Sequence, residues 1–198
     1  MQILRIDSAT TGENSVSREL TQAIVDRLLA ENPGANLVER NLATDPLPHI
    51  DPVTTGAIRL PQDSHDEAMA AAFPAERAVL DEFLASDVIV IGAPMYNFTL
   101  PSALKAWLDR LGVPGVTFTY RDGAPVGLAG GRRVIVASSR GGAYEPGGAG
   151  EHQEALLRYF FAFIGLPDIE FVRAEKVGFG PEVRDRAIEN ARLEIAEL

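Results

Sequence analysis

Cysteine is absent from this chain of 198 residues. Its absence rules out disulfides, thiolate nucleophiles and sulfur-ligated metals. Basic residues are also few, since 18 Lys and Arg stand against 28 Asp and Glu and leave a net charge of −10. Nucleic-acid binding depends largely on Lys and Arg that neutralise phosphates, so we expect no nucleic-acid partner. An acidic surface suits an enzyme and a steered electron carrier equally well.

Long hydrophobic runs are missing as well. The longest, at residues 88–91, is far shorter than the roughly 20 residues that a membrane-spanning helix needs. Arg5 and Asp7 interrupt the N-terminal stretch where a signal peptide would be apolar. We therefore expect a cytoplasmic protein that does not bind membranes. At this length we also expect one domain, residues 1–198, which buries roughly 70% of the unfolded surface.

Several enzyme motifs are absent. The chain has no GxGxxG and no Gly-Lys-Ser/Thr, so the dinucleotide fingerprint and the P-loop are excluded. The stretch "SSRGG", residues 138–142, is not the GxSxG of a hydrolase. His49, His65 and His152 show no metal-ligand spacing, which predicts no metal site.

What the sequence contains is an alternation of short apolar runs with amphipathic stretches. It predicts strands at residues 2–6, 36–40, 88–91, 134–137 and 170–173, and helices at residues 15–30, 66–84, 101–111, 153–164 and 182–197. Two of the strands are apolar throughout, which is typical of strands buried on both faces of a parallel sheet. The order predicts an α/β fold with a doubly wound five-stranded parallel sheet and helices on both faces.

Three other segments have distinctive compositions. Residues 41–63 contain four prolines and are predicted as a long loop. Pro74 is predicted to kink or break the helix at residues 66–84. Residues 115–128, "GVTFTYRDGAPVGL", predict a hairpin that turns at Asp122 and Gly123.

The loop at residues 7–14 leads into a helix start that is rich in hydroxyl groups. Ser15 and Ser17 stand where unpaired backbone N–H groups and the helix dipole favour a phosphate. The same residues could instead form an ordinary helix N-cap. A hydroxyl-rich loop on a doubly wound sheet is the arrangement that binds flavin mononucleotide, FMN.

Two further loops leave the same predicted edge of the sheet. Residues 94–99 carry large apolar side chains that could either wall a flat ligand or pack against the next helix. In the loop at residues 138–150, Gly141 and Gly142 allow close approach of a ligand to the backbone, unless they only form a flexible turn. The coincidence of three such loops favours a binding site.

Six stretches of the chain occur in the order typical of one enzyme family: "APMYNF" followed by "LPSALKAWLD", "GVTFTY", "SSRGG", "FIGL" and "GFGPE". In these the sequence resembles the FMN-dependent NADH-azoreductases, which are quinone reductases of flavodoxin-like fold. The resemblance implies that FMN is held at three groups of residues: Ser8, Ser15, Val16 and Ser17 at the phosphate, Met95, Tyr96, Asn97 and Phe98 along the ring and ribityl chain, and Ser139, Arg140, Gly141 and Gly142 at the pyrimidine edge.

The resemblance also implies a homodimer with two active sites at the interface, where an aromatic residue of one subunit faces the flavin of the other. In this chain that residue would be Phe163 or, as the alternative, Phe160, and Tyr120 would lie near the substrate. The implied activity transfers two electrons from NADH or NADPH to quinones and azo compounds by a ping-pong mechanism. FMN carries that chemistry, so no side chain is predicted as an acid or base.

Two other functions fit parts of the sequence. A flavodoxin-type electron carrier would share the fold, the FMN and the acidity, and a flavin-free interaction domain would share the fold alone. The aromatic hairpin and the aromatic helix at residues 158–164 favour the enzyme, because a carrier needs an exposed flavin edge. Arg18, Arg59 and Arg140 are either cations that attract anionic substrates or solvated surface residues.

Overall fold

The computed structural model describes residues 1–198. Seven strands and six α-helices alternate along the chain. The strands are β1 (Gln2–Asp7), β2 (Asn36–Asn41), β3 (Val88–Pro94), β4 (Phe118–Arg121), β5 (Ala124–Gly127), β6 (Arg133–Ser139) and β7 (Ile169–Ala174). The helices are α1 (Val16–Glu31), α2 (Pro52–Arg59), α3 (Glu67–Leu84), α4 (Ser102–Leu108), α5 (Gln153–Phe163) and α6 (Pro181–Ala196). No helix is long and apolar enough to cross a bilayer.

Five strands form one parallel sheet in the order β2-β1-β3-β6-β7. The chain moves outward from β1 to β2 and then crosses back, so that β3, β6 and β7 extend the sheet in the other direction. The strand order therefore switches between β1 and β3, where sheets of this kind bind ligands at the carboxyl ends of their strands. This topology confirms the predicted flavodoxin-like, doubly wound α/β fold.

Two apolar cores cover the two faces of the sheet. On one face, Ile3 and Val90 pack with Leu20 and Ile24 of α1 and with Ile188 of α6. The other core takes the alternate strand residues together with α3, α4 and α5; it includes Leu4, Ile89, Ile91, Phe83, Trp107 and Phe161. Successive side chains of a strand point to opposite faces, so a strand covered on both sides must be apolar along its whole length. All seven residues of β3 are buried.

Two sequence predictions between β2 and β3 need correction: the loop prediction is wrong, and the helix is not broken at Pro74. The segment predicted as a long loop contains α2, which starts at an Asp-Pro pair: the Asp51 carboxylate accepts the N–H of Thr54 at 2.7 Å, and Pro52 occupies the first turn. Proline is pre-organised for that position. Pro74 does not break α3, because it lies on the exposed side of the helix. There water can bind the carbonyl of Ala70 that loses its N–H partner.

The predicted hairpin is confirmed. Strands β4 and β5 pair antiparallel, and Asp122 and Gly123 have positive φ angles of 52° and 78°, as a two-residue type I′ turn requires. The hairpin contacts the end of α5 through two glycines. A Cβ on Gly127 would lie 2.1 Å from the backbone nitrogen of Gly165, so only glycine fits there.

Candidate functional site

A cleft of about 280 Å³ lies at the carboxyl edge of the sheet. It is lined by Thr11, Asn14, Ser15, Val16, Pro94, Met95, Tyr96, Ser139, Gly141, Val177 and Arg184. The three loops that leave β1, β3 and β6 all contribute, so the fold brings together segments that are far apart in the sequence. Val177 and Arg184, which follow β7, were not singled out from the sequence.

The first wall of the cleft is the start of α1. Ser15 is the N-cap residue, and its hydroxyl accepts the N–H of Arg18 at 3.2 Å and lies 3.2 Å from the hydroxyl of Ser17. The interpretation of this segment as a helix N-cap is therefore correct, and the hydroxyl groups of Ser15 and Ser17 also lie together. The first N–H groups of a helix, here beginning at Val16, have no acceptor within the helix and remain available to an anion.

Of the predicted phosphate ligands, Ser17 is 1% exposed and does not line the cleft, and neither does Ser8. The side chain of Ser8 is fully buried, and its hydroxyl donates to the carbonyl oxygen of Gly92 at 2.6 Å. This bond joins the end of β1 to β3 below the cleft. Ser8 does not line the cleft, so the structure gives it a supporting role beneath the loop.

The loop after β3 is a tight turn that closes on itself. The Tyr96 N–H donates to the Thr99 carbonyl at 2.9 Å, and the reverse bond measures 3.1 Å. Between them Asn97 and Phe98 have positive φ angles of 47° and 71°. Asparagine tolerates this region, whereas phenylalanine adopts it at an energetic cost, and such strain concentrates at functional sites.

The aromatic residues of this turn make contacts with the loops after β1 and β6. The Tyr96 hydroxyl accepts the N–H of Thr10 at 3.0 Å and lies 3.1 Å from its side-chain oxygen, which links the loop after β3 to the loop after β1. The ring of Phe98 is 54% exposed and meets only the edge of Tyr144 among the aromatic rings. The turn is thus held in place while its outer surface stays open.

The loop after β6 is held by backbone hydrogen bonds and is not a free turn. The carbonyl of Gly142 accepts the N–H of Lys176 at 2.9 Å, and that of Gly141 accepts the N–H of Gly178 at 3.2 Å. A Cβ built on Gly141 would meet no atom within 4 Å, so this residue presents bare backbone to open space. Ser139, which is almost buried, completes this wall.

Arg140, between those two lining residues, points into the protein. Its side chain has no exposed surface, and its guanidinium lies 2.6 Å from the carboxylate of Glu154 and 3.4 Å from those of Glu151 and Glu175. The interpretation of Arg140 as a solvated surface residue is therefore wrong. Its guanidinium holds the loop from the interior of the protein, while its neighbours in the chain, Ser139 and Gly141, line the cleft.

The carboxylates around Arg140 belong mainly to the start of α5. Glu151 accepts the N–H groups of Gln153 and Glu154 at 2.9 and 2.7 Å and so caps this helix. The Gln153 side chain accepts the hydroxyl of Ser138 at 2.7 Å and donates to the carbonyl of Ala93 at 2.8 Å. The start of α5 is consequently tied to the ends of β3 and β6.

The predicted substrate residues form a second group. The ring centroid of Phe163 lies 4.5 Å from that of Phe118, which in turn lies 5.9 Å from that of Tyr120. A cleft of about 270 Å³ beside them is lined by Arg59, Leu108, Asp109, Gly112, Pro114, Phe118, Phe160 and Phe163. None of these residues lines the first cleft. Within one chain, the predicted substrate aromatics and the predicted cofactor residues are thus in separate places.

The strand order and a hydroxyl-lined helix start at its switch point define a protein of flavodoxin-like fold. A family model described as flavodoxin-like fold matches residues 1–198. The chain is 48% identical over 201 residues to an FMN-dependent NADH:quinone oxidoreductase of Ralstonia nicotianae, covering 100% of this chain and 97% of the relative. It is 50% identical over 202 residues to the protein of the same name from Rhizobium meliloti, covering 100% and 96%.

Solved structures agree with this assignment. An azoreductase from Bacillus anthracis superposes with a TM-score of 0.87 at 27% identity, covering 100% of this chain and 97% of that one. The chain belongs to the family of flavodoxin-like FMN-dependent NADH:quinone oxidoreductases, and it is an oxidoreductase enzyme.

Proposed function

We propose that this protein oxidises NADH or NADPH and passes two electrons to quinones and azo compounds in a ping-pong cycle with FMN as its bound cofactor. The observation that carries the proposal is the meeting of three unlike walls in one cleft: a helix start with hydroxyls, an apolar turn and a bare glycine backbone. The names of the relatives support the cofactor and NADH. When bound, FMN supplies the two-electron chemistry.

The phosphate end of the cofactor fits the start of α1. Ser15 brings a hydroxyl to the cleft, the hydroxyl of Ser17 lies 3.2 Å from it, and Val16 can offer only its backbone N–H. These groups are neutral and fixed by the fold before any ligand arrives, which reduces the ordering cost of binding. They favour a phosphate because hydrogen bonds to an ionised acceptor are roughly twice as strong as those between neutral groups.

The flavin ring fits the other two walls. Met95 and Tyr96 present apolar surface to the cleft, whereas Asn97 and Phe98 do not line it and form the exposed turn that follows. Backbone groups from Ser139 to Gly142 can reach the polar pyrimidine edge, because glycine leaves the loop open there. The side chain of Arg140 keeps that loop in position from the interior.

The substrate pocket is proposed to form between two copies of the chain. Tyr120 and Phe163 do not line the cofactor cleft of their own chain, and in this proposal a second copy brings them to the flavin. Tyr120 is 64% exposed and the neighbouring Tyr159 on α5 is 77% exposed, and apolar surface of this kind marks interaction sites. Arg59, at the end of α2, lines the aromatic cleft and would favour anionic acceptors.

Steady-state kinetics test the cycle. Because the nicotinamide and the acceptor must use the same face of the flavin in turn, double-reciprocal plots of NADH or NADPH against menadione should give parallel lines. Tyr120→Ala should change the KM for the acceptor while the protein stays yellow. Converging lines would overturn the ping-pong order. FMN-loaded protein that oxidises neither nicotinamide with any quinone or azo acceptor would be an electron carrier instead.

The dimer has a separate test. Light scattering should give twice the mass of the chain, and Phe163→Ala should change acceptor kinetics more than FMN affinity. Phe160→Ala is the matched comparison, since both rings line the same cleft. A catalytically active monomer, or an equal effect of Phe163→Ala on FMN affinity and on kinetics, would contradict the shared site.

A further inference from the structure

Arg184 is the one charged residue among the eleven that line the cofactor cleft. The other lining residues are neutral, in a protein whose net charge is −10. A phosphate carries up to two negative charges, and such an overall field disfavours its binding unless a local cation offsets it. A cation in the cleft wall would therefore offset the repulsion between the acidic protein and a bound phosphate.

The Arg184 side chain lines the cleft and also contacts the first turn of α1. Arg184 lies in the first turn of α6, which packs beside α1, and its guanidinium is 3.9 Å from the carboxylate of Glu19. Glu19 follows the helix cap by one turn, since its N–H donates to the carbonyl of Ser15 at 3.1 Å. The guanidinium is thus next to the helix start that supplies the hydroxyls.

The present partners of Arg184 hold it only loosely. Besides the long contact with Glu19, it makes a 3.5 Å contact with Asp185, its neighbour in the chain, whose side chain is 73% exposed. By contrast, Arg140 and Arg173 approach Glu154 to 2.6 and 2.7 Å. An ion pair that is both long and exposed contributes little, so releasing Arg184 from it costs little.

Glu19 also has a second partner that would remain. The guanidinium of Arg192, two turns further along α6, lies 3.1 Å from the other carboxylate oxygen of Glu19. If Arg184 turns toward a ligand, Glu19 keeps that shorter ion pair. The three residues therefore form an arrangement in which Arg184 can move while Glu19 keeps an ion pair, and only the exposed Asp185 loses a contact.

We propose that Arg184 binds the terminal phosphate of FMN and makes the site prefer the phosphorylated flavin over riboflavin. This rests on the proposed function, because it assumes that the cleft holds FMN. The guanidinium donates to phosphate oxygens that the N–H groups and hydroxyls of α1 leave free, and a planar guanidinium is well suited to that geometry.

Titration of flavin-free protein, followed by flavin fluorescence, tests the proposal. Arg184→Gln should weaken FMN about 5- to 10-fold, less than the loss expected for a buried charge-assisted hydrogen bond because Arg184 is partly exposed. Riboflavin affinity should not change. Arg186→Gln is the matched control, since Arg186 lies on the same helix but is exposed and does not line the cofactor cleft, and it should alter neither affinity. Raising the salt concentration should shrink the difference between wild type and Arg184→Gln.

A second variant is expected to act in the opposite direction, which a folding defect would not do. Glu19→Gln removes the competing carboxylate and should tighten FMN about 2- to 5-fold, and this gain should be smaller when Arg184→Gln is also present. Unchanged FMN affinity in Arg184→Gln, or an equal loss for FMN and riboflavin, would overturn the proposal. Wild-type protein that binds no FMN would overturn the cofactor assignment itself, a distinguishable result.

Discussion

Two buried ionic clusters lie beneath the cofactor edge of the sheet, and they are built differently. Under the loop after β1, the Arg5 cluster joins Arg5 to Asp7 at 3.0 Å, to Thr21 at 3.1 Å and to Glu39 at 3.1 Å. Under the loop after β6, the Arg140 cluster joins Arg140 to Glu151, Glu154 and Glu175. Each places one buried guanidinium next to a segment that lines the cleft.

The pKa values of the buried carboxylates in the two clusters are shifted in opposite directions. Burial raises the pKa of Asp7 above its ordinary value, and the Thr21 hydrogen bond and the charges of Arg5 and Arg18 do not compensate. For Glu154, burial also acts to raise the pKa, but the hydrogen bond and charge of Arg173, with the charges of Arg140 and Arg158, lower it overall. A buried carboxylate is thus kept ionised where several guanidiniums reach it.

Of the substitutions in the two clusters, removing the guanidinium of Arg140 should have the largest effect on stability. Arg140→Met leaves Glu151 without its guanidinium partner and weakens the support of Glu154, so the free energy of unfolding should fall by about 3–5 kcal/mol. Urea unfolding of the flavin-free protein measures it. Arg158→Gln is the control: its side chain is half-exposed, 3.6 Å from Glu154, and its loss should cost about 0–1 kcal/mol. Equal effects of the two variants would refute the central role of Arg140.

Glu154→Gln should have the next largest effect, about 2–3 kcal/mol at pH 7, because it replaces charge-assisted hydrogen bonds to Arg140 and Arg173. The pKa of Glu154 is lower in the folded state than in the unfolded one. Its stabilisation is therefore complete above the unfolded pKa and is lost as the pH falls through the folded value. Unfolding curves at several pH values should show the gap between wild type and variant closing in acid. A gap independent of pH would be inconsistent with an ionised Glu154.

Gly92→Ala tests how tightly the Arg5 cluster is packed. A Cβ on Gly92 would lie 3.0 Å from the Oδ1 of Asp7 and 3.2 Å from the Cγ2 of Thr21, so both side chains must shift. We expect a loss of about 1–2 kcal/mol in thermal or urea unfolding. Gly34→Ala, where a Cβ would meet no atom within 4 Å, is the control. If the two glycines tolerate alanine equally, the cluster is looser than its distances indicate.

Asp7→Asn should have the smallest effect, under about 1 kcal/mol at pH 7, because Arg5 keeps Glu39 and the desolvation cost of the carboxylate disappears. The raised pKa makes wild-type folding less favourable as the pH rises from the unfolded pKa through the folded value. Asp7→Asn lacks this loss, so its relative stability should improve as the pH rises through that range. Stability curves against pH measure it, and a cost at pH 7 equal to that of Glu154→Gln would remove the distinction between the clusters.

The sheet could be predicted because its central strands have to be apolar on both faces: β3 contains no polar residue, and β6 is apolar between Arg133 at its start and Ser138 at the site. Helix α2 was missed because four prolines in residues 41–63 suggested a loop, although the Asp51–Pro52 pair is a start signal for a helix. The break predicted at Pro74 is absent for a related reason. The sequence shows where an N–H is missing, but not whether the orphaned carbonyl faces water.

At the site, residue type and chain position alone identified the start of α1, the turn after β3 and the glycines after β6, since each depends on local backbone chemistry. Which side chains face the cleft depends on contacts between distant segments, and there the sequence carried no usable signal. Ser8 is turned down onto Gly92 and Arg140 inward onto three carboxylates, because burying a polar or charged group requires partners that only folding assembles. Arg184 reaches the cleft because α6 packs beside α1, a contact that cannot be read from two residues, Val16 and Arg184, that lie 168 positions apart in the sequence.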